Sequence, residues 1–360
     1  EELEERIREA DALLDKSRRE LSILNPRKSL SNYRRHDLRT AFVSMYEAAN
    51  SLFHKERIHS LTWLKGNAFS QTTKQCMVTV GRDGEIIIWD SKTGSPILKT
   101  EIENTDLMTV SIDQHDNSLL CVAGSSGRLY VFRSRFTPVG RLFIDNEPEV
   151  MIRAHRDYVS DCAFLNRGEL LSASGDGTCC LWSAERAGEA IRKFVGHSGP
   201  VKSLGVSDVH SSCFLSGSLD QTVRLWDIRR GQGCVREFEI FSEVNSVKFM
   251  PESCTTFAIG CADAFSQLLD ARAFKNLSIY PFPNFHASVT KVEFSKTGRL
   301  LFTAGEEGSI ALWDTLDESS CMQNLTGHSE QITGLQMNAD GDVLAVASFD
   351  KSVTLWQHRH

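Results

Sequence analysis

From Phe42 onward the chain alternates short apolar segments with tight polar turns. Ile86-Ile87-Ile88-Trp89 follows Gly81-Arg82-Asp83-Gly84, and the turn Gly175-Asp176-Gly177 repeats the device. Apolar, β-favouring runs behind Asp-Gly turns predict strands joined by hairpins. The pattern is periodic. Five tryptophans each follow an acidic residue by six positions: Asp83/Trp89, Asp176/Trp182, Asp220/Trp226, Glu307/Trp313 and Asp350/Trp356. Weaker copies stand at Leu129-Tyr130-Val131-Phe132 and Gln267-Leu268-Leu269-Asp270. Aligned on Trp89, Phe132, Trp182, Trp226, Leu269, Trp313 and Trp356, the steps are 43, 50, 44, 43, 44 and 43 residues. Of the six tryptophans only Trp63 lies outside the pattern.

A repeat of about 40–45 residues closing on a Trp-Asp-like pair marks the blade of a WD-repeat propeller. Seven marks predict an all-β fold, a seven-bladed WD-repeat β-propeller over residues 42–360. In the internal blades a fourth strand follows the mark, but only Gln357–His360 follow Trp356. An incomplete last sheet would leave an open edge, which invites aggregation. The unassigned segment 42–53 is the candidate to supply the missing strand and close the ring.

Upstream the pattern changes period. Residues 1–25 lack Gly and Pro until Pro26 and are rich in helix formers, which predicts a helix. Leu3, Ile7, Ala10, Leu14, Ser17, Leu21 and Leu24 alternate steps of 4 and 3, a heptad seam with Ser17 its weakest member. So narrow a stripe calls for a partner helix, or for burial against the chain's own propeller. Residues 26–41 read as a polar connector. Its basic stretch, with Arg27, Lys28, Arg34, Arg35 and Arg39, suits a solvated linker or a lipid-facing patch.

Several blades carry a His upstream and a hydroxyl four residues before the acid. The sets are His54/Thr79/Asp83/Trp89, His155/Ser172/Asp176/Trp182, His197/Ser216/Asp220/Trp226 and His286/Thr303/Glu307/Trp313. A fifth, His328/Asp350/Trp356, has Val346 where the hydroxyl belongs. His, Ser and Asp together suggest a hydrolase triad. A triad is needed once, however, and this set recurs with Trp as a fixed fourth member. The expected role is a buried hydrogen-bonded chain from acid to His to hydroxyl to indole N–H.

Composition narrows the function. The net charge of −7 argues against a nucleic-acid partner, whose affinity rests on phosphate neutralisation. Ten cysteines without C-x-x-C spacing suit reduced, core-filling thiols of the cytosol and provide no zinc site. No apolar run is long enough to span a bilayer, and no secretion leader is expected. The Asn276 and Asn324 glycosylation patterns would then be idle. There is no phosphate loop, no H-E-x-x-H motif and no cofactor signature, and His358-Arg359-His360 reads as a frayed end.

Val292–Asp314, VEFSKTGRLLFTAGEEGSIALWD, resembles the beta subunits of heterotrimeric G proteins, whose F-S-K-[S/T]-G-R-L-L string is not general to WD repeats. Gly81–Thr93, Ser174–Trp182 and Leu268–Ala273 resemble that family too, and the order of helix, connector and seven blades agrees. The resemblance covers nearly the whole chain and is patchy in the second and fifth blades. It implies a non-catalytic transducer of transmembrane-receptor signals, held at the inner face of the plasma membrane by an obligate gamma subunit. The gamma subunit would pair through the helix bearing Leu3, Ile7, Ala10, Leu14, Leu21 and Leu24. A GDP-bound alpha subunit, and after its release effector proteins, would bind one face of the ring. Positions matching that face are Arg57, His59, Ile87, Met108, Tyr158, Glu243 and Phe349. Glu85, Asp106, Pro200, Lys202 and Ala262 depart from the family's usual Lys, Trp, Asp, Met and Asp. Such changes re-aim an interface. The competing readings are another coiled-coil WD scaffold (co-repressor, ubiquitin-ligase receptor or autophagy adaptor) and an enzyme using the His-Ser-Asp set.

Overall fold

Burial differs by strand, and the difference explains the sequence pattern. In Cys76–Gly81, Leu119–Gly124 and Thr256–Cys261 every residue is buried, because both faces of a middle strand pack against neighbouring sheets. These read as continuous apolar runs. Outer strands such as Arg236–Glu239 and Gln323–Thr326 alternate a buried or half-buried residue with an exposed one, the period of a strand wet on one face.

The computed structural model describes residues 42–46, 54–64, 76–113, 117–136, 142–145, 147–166, 168–184, 190–207, 209, 212–230, 233–273, 275–283, 286–316 and 321–358. The proposed helix over 1–25, with its seam residues Leu3, Ile7, Ala10, Leu14, Leu21 and Leu24, and the connector over 26–41 lie outside the described residues.

Seven antiparallel sheets follow in order. Blades 1 to 6 span 58–101, 107–153, 159–195, 201–239, 244–281 and 289–326. Blade 7 takes 332–358 and completes itself with Phe42–Tyr46, which pairs antiparallel with Val353–His358. Blade 2 adds a fifth strand, Leu142–Ile144, paired to the extended strand Arg128–Phe136. That hairpin accounts for the long 50-residue step at this repeat.

The inner strands pack in a closed circuit, each against the next and Ile332–Met337 against Ile58–Trp63. Side chains on one inner strand satisfy backbone groups of the next. Ser111 accepts from Phe164 N–H, Asp161 from Leu204 N–H, Ser203 from Val247 N–H and Ser246 from Val292 N–H. At the seam between blades 7 and 1, the Thr333 hydroxyl donates to the Ile58 carbonyl at 2.7 Å. Trp63, the tryptophan outside the repeat, lies in that seam, in an apolar cluster with Met77, Ile87, Trp89, Ala345 and Leu355.

Candidate functional site: the polar chains and the loop rim

Three blades build complete polar chains. In blade 4, His197 Nδ1 lies 2.8 Å from Asp220, and Nε2 lies 2.7 Å from Ser216 Oγ. Trp226 Nε1–H then donates to the same Oγ at 2.8 Å. Blade 3 repeats this through Asp176, His155, Ser172 and Trp182 at 3.1, 2.7 and 2.9 Å. Blade 1 does so through Asp83, His54, Thr79 and Trp89 at 3.1, 2.8 and 2.7 Å. A neutral imidazole orders the protons one way: Nδ1–H to carboxylate, hydroxyl O–H to Nε2, indole N–H to hydroxyl oxygen. Burial lowers the His155 and His197 pKa values against the opposing pull of Asp176 and Asp220, which favours that neutral form. Burial alone would raise the Asp176 and Asp220 carboxyls. Hydrogen bonds from Thr178 and Thr222, with the paired histidines, reverse it and hold both below the usual range. Thr178 and Thr222, two residues after each acid, donate to it at 2.6 and 2.7 Å.

Two blades differ from the expectation. In blade 7, Thr354 supplies the hydroxyl, 2.8 Å from His328 Nε2 and accepting Trp356 Nε1–H at 3.0 Å. Thr354 is the cross-strand partner of Val346, so the hydroxyl has moved to the facing strand within one chain. The available signal was a hydroxyl two residues before the Trp. In blade 6 the expected set is corrected. Trp313 donates to Thr303 at 3.0 Å, but His286 and Glu307 are exposed. Phe282 occupies the histidine's seat. Its N–H donates to Ala264 of the preceding blade's turn as His155 N–H does to Gly127. A Cβ on Gly305 would meet the Phe282 ring at 2.6 Å, where a Cβ on Gly81 would meet His54. Seven positions separate Phe282 from Val289, against four from His155 to Val159, so the longer linker carries His286 past the seat.

These chains are poor catalysts by geometry. Each Ser or Thr oxygen is buried between imidazole and indole, with its proton given to the imidazole and one of its two lone pairs accepting the indole N–H. Burial also pushes the Cys76 and Cys180 thiols up to about 11, far from thiolate chemistry. His54, Asp83 and Glu85 bring ligand atoms within 4.8 Å of one another, yet each is engaged. Glu85 is fully buried and ion-paired to Lys99 at 2.6 Å and Lys55 at 3.1 Å. The charge reversal at Glu85 is therefore compensated within blade 1 and does not face outward.

Loops entering each blade's inner strand form a rim with turns inside the blades, such as the one holding Phe349 between Val343–Ser348 and Val353–His358. At the 7/1 seam the Arg57 guanidinium lies 4.9 Å over the Phe349 ring, and His59 meets the same ring edge-on at 5.2 Å. Burial lowers the His59 pKa, with Asp106 opposing. Asp106 stands 3.6 Å from Arg82. Lys202 stands over the Tyr158 ring at 5.8 Å. Met108 and Tyr158 are half-buried and Glu243 is exposed. Ile87 is corrected: it is fully buried in the 7/1 seam, mid-strand in Glu85–Asp90, and has no surface to offer a partner.

The family model "WD domain, G-beta repeat" matches residues 146–183, 188–227, 278–314 and 319–357. Blades 1, 2 and 5 contain most of the unmatched described sequence, among them the two blades built on Phe132 and Leu269 instead of Trp. A guanine nucleotide-binding protein subunit beta of Oryza sativa subsp. japonica is 31% identical over 320 residues, covering 84% of this chain and 81% of that protein. Its namesake in Zea mays is 30% identical over the same length and shares. The Arabidopsis thaliana protein of that name is 29% identical over 324 residues, again 84% and 81%.

Proposed function

Because this chain belongs to the family of guanine nucleotide-binding protein beta subunits, we propose that it is the non-catalytic beta subunit of a heterotrimeric G protein. It pairs with a gamma subunit through Leu3, Ile7, Ala10, Leu14, Leu21 and Leu24 and works in the cytoplasm, peripherally on the inner face of the plasma membrane. No helix among the described residues is long and apolar enough to cross a membrane.

The GDP-bound alpha subunit, and after its release the effectors, dock on the rim carrying Arg57, His59, Met108, Tyr158, Glu243 and Phe349. The observation that carries this reading is the Arg57–Phe349–His59 cluster at the closing seam. Two rings and a guanidinium packed against one another make a partly exposed aromatic surface that presents an Arg, one of the residue types enriched in binding hot spots. The polar chains, by contrast, are saturated from within and have nothing to offer a substrate.

The test is co-expression with a gamma subunit, then titration of the dimer with GDP-loaded alpha subunit. The Leu14→Asp/Leu21→Asp pair should abolish gamma pairing by placing charges on an apolar seam. Dimers that assemble normally with that pair of substitutions would overturn the coiled-coil part of the proposal. A well-folded dimer that ignores alpha–GDP would overturn the rest.

A further inference from the structure

Phe241 is the most exposed large apolar side chain among the described residues, 82% accessible, and its φ is +64°. It sits between Arg236–Glu239 and Val244–Phe249, in the loop joining blade 4 to blade 5. A left-handed backbone is rare at a bulky aromatic, because Cβ crowds the following carbonyl. Such a conformation persists only where its surroundings hold it. Ile240 and Ser242, on either side, are buried. Ile240 N–H donates to the Gln221 carbonyl at 2.9 Å, and the Glu243 carbonyl accepts Ala262 N–H at 3.0 Å. The loop is thus pinned to both blades, and the pinning turns the Phe241 ring outward.

The loop itself carries charge of one sign, between Arg236 and Lys248. Residues 237–247 contain Glu237, Glu239 and Glu243 and neither Lys nor Arg. Arg224 neutralises Glu237 at 2.6 Å, but Glu239, Glu243 and nearby Asp263 are exposed. We propose that Phe241 is a partner anchor, inserting into an apolar socket on the alpha subunit that is rimmed by Lys or Arg. The proposal rests on the reading that this rim binds alpha, and it adds a residue and a charge requirement to it. A preoriented aromatic loses little freedom on docking, and a collar of carboxylates selects a cationic rim around the socket.

The experiment titrates the full-length chain, as its gamma dimer, with GDP-loaded alpha subunit from the same cells, at low and moderate salt. Phe241→Ala and Phe241→Asn should each weaken alpha binding by about tenfold or more. Gamma pairing should be unchanged. Phe241→Asn should melt no lower than the parent, since Asn tolerates the left-handed region. Glu239→Lys/Glu243→Lys should weaken binding, and parent affinity should fall as salt rises. If Phe241→Ala binds normally while Tyr158→Ala does not, the rim reading stands and the anchor is wrong. If the parent dimer binds no alpha, both fall together. Melting well below the parent in both Phe241 variants would make Phe241 a structural residue and overturn the anchor. Tighter binding by the Lys pair would overturn the charge requirement.

Discussion

Trp63 and Gln336 hold each other twice across the seam between the first and last blades. Trp63 Nε1–H donates to the Gln336 carbonyl at 3.0 Å, and Gln336 Oε1 accepts Trp63 backbone N–H at 2.9 Å. The ring is therefore closed at its inner circumference by this pair and at its outer one by Phe42–Tyr46 on Val353–His358. Gln336→Ala leaves a buried N–H unpaired and should cost about 1–3 kcal/mol. Denaturant unfolding of the parent and variant measures it, and an unchanged midpoint would show that the Gln336 side chain contributes nothing to closure. Removing residues 42–46 should instead bare an edge strand and produce aggregation, read by light scattering.

The polar chains should respond by geometry and not by sequence spacing. Ser216→Ala and Thr354→Val each strand a His Nε2 and a Trp N–H, at about 1–3 kcal/mol. His286→Ala, at an exposed position, should stay within about 0.5 kcal/mol of the parent. Equal losses at His286 and Thr354 would contradict the assignment of Phe282 to the blade 6 seat.

Acid should destabilise the ring in two stages. His155 and His197 have folded pKa values below their unfolded values, so the unfolded chain binds more protons and stability falls as pH drops below about 6.5. Asp176, Asp220 and Asp350 are likewise held low, and their contribution is lost further down, below about pH 4. Thermal melts from pH 8 to 3 should show both declines. A flat profile through pH 6 would mean these histidines are not held neutral.

Glu85→Lys would place an ammonium at a buried position, beside the solvent-exposed amines of Lys55 and Lys99. The lysine ends lie in water, so screening reduces the cost to about 1–3 kcal/mol, most of it from burying an unpaired charge. Although Lys is the residue usual in the family, the single change should destabilise blade 1. Restored stability in Glu85→Lys/Lys99→Glu would confirm the pairing, and a harmless single change would refute it.

Ile87 and Tyr158 separate packing from binding. Ile87→Ala empties a core position and should cost about 2–5 kcal/mol of stability. Tyr158→Ala, half-exposed, should leave the fold intact and weaken alpha–GDP binding by about 1–3 kcal/mol. Calorimetric melting beside a binding titration distinguishes the two, and reversed results would exchange their roles.

The repeat was legible because each blade reports its own period. Acid, turn, apolar run and Trp lie within one hairpin, and their spacing follows from strand length alone. That suffices for the seven blades and for the chains of blades 1, 3 and 4, whose members come from one repeat plus the loop before it.

What tertiary structure decided concerns facing, which spacing does not encode. Thr354 replaces the missing hydroxyl because it lies across the ladder from Val346, a relation of register. Phe282 displaces His286 because the linker length sets which residue reaches the seat. Ile87 and Glu85 looked outward by position, but the stacking of one blade on another buries them. Trp63 fitted no repeat because its role is made once, where the ends of a circular array meet. Local pattern determined which strands form; the packing of sheet on sheet determined which side chains remain for partners.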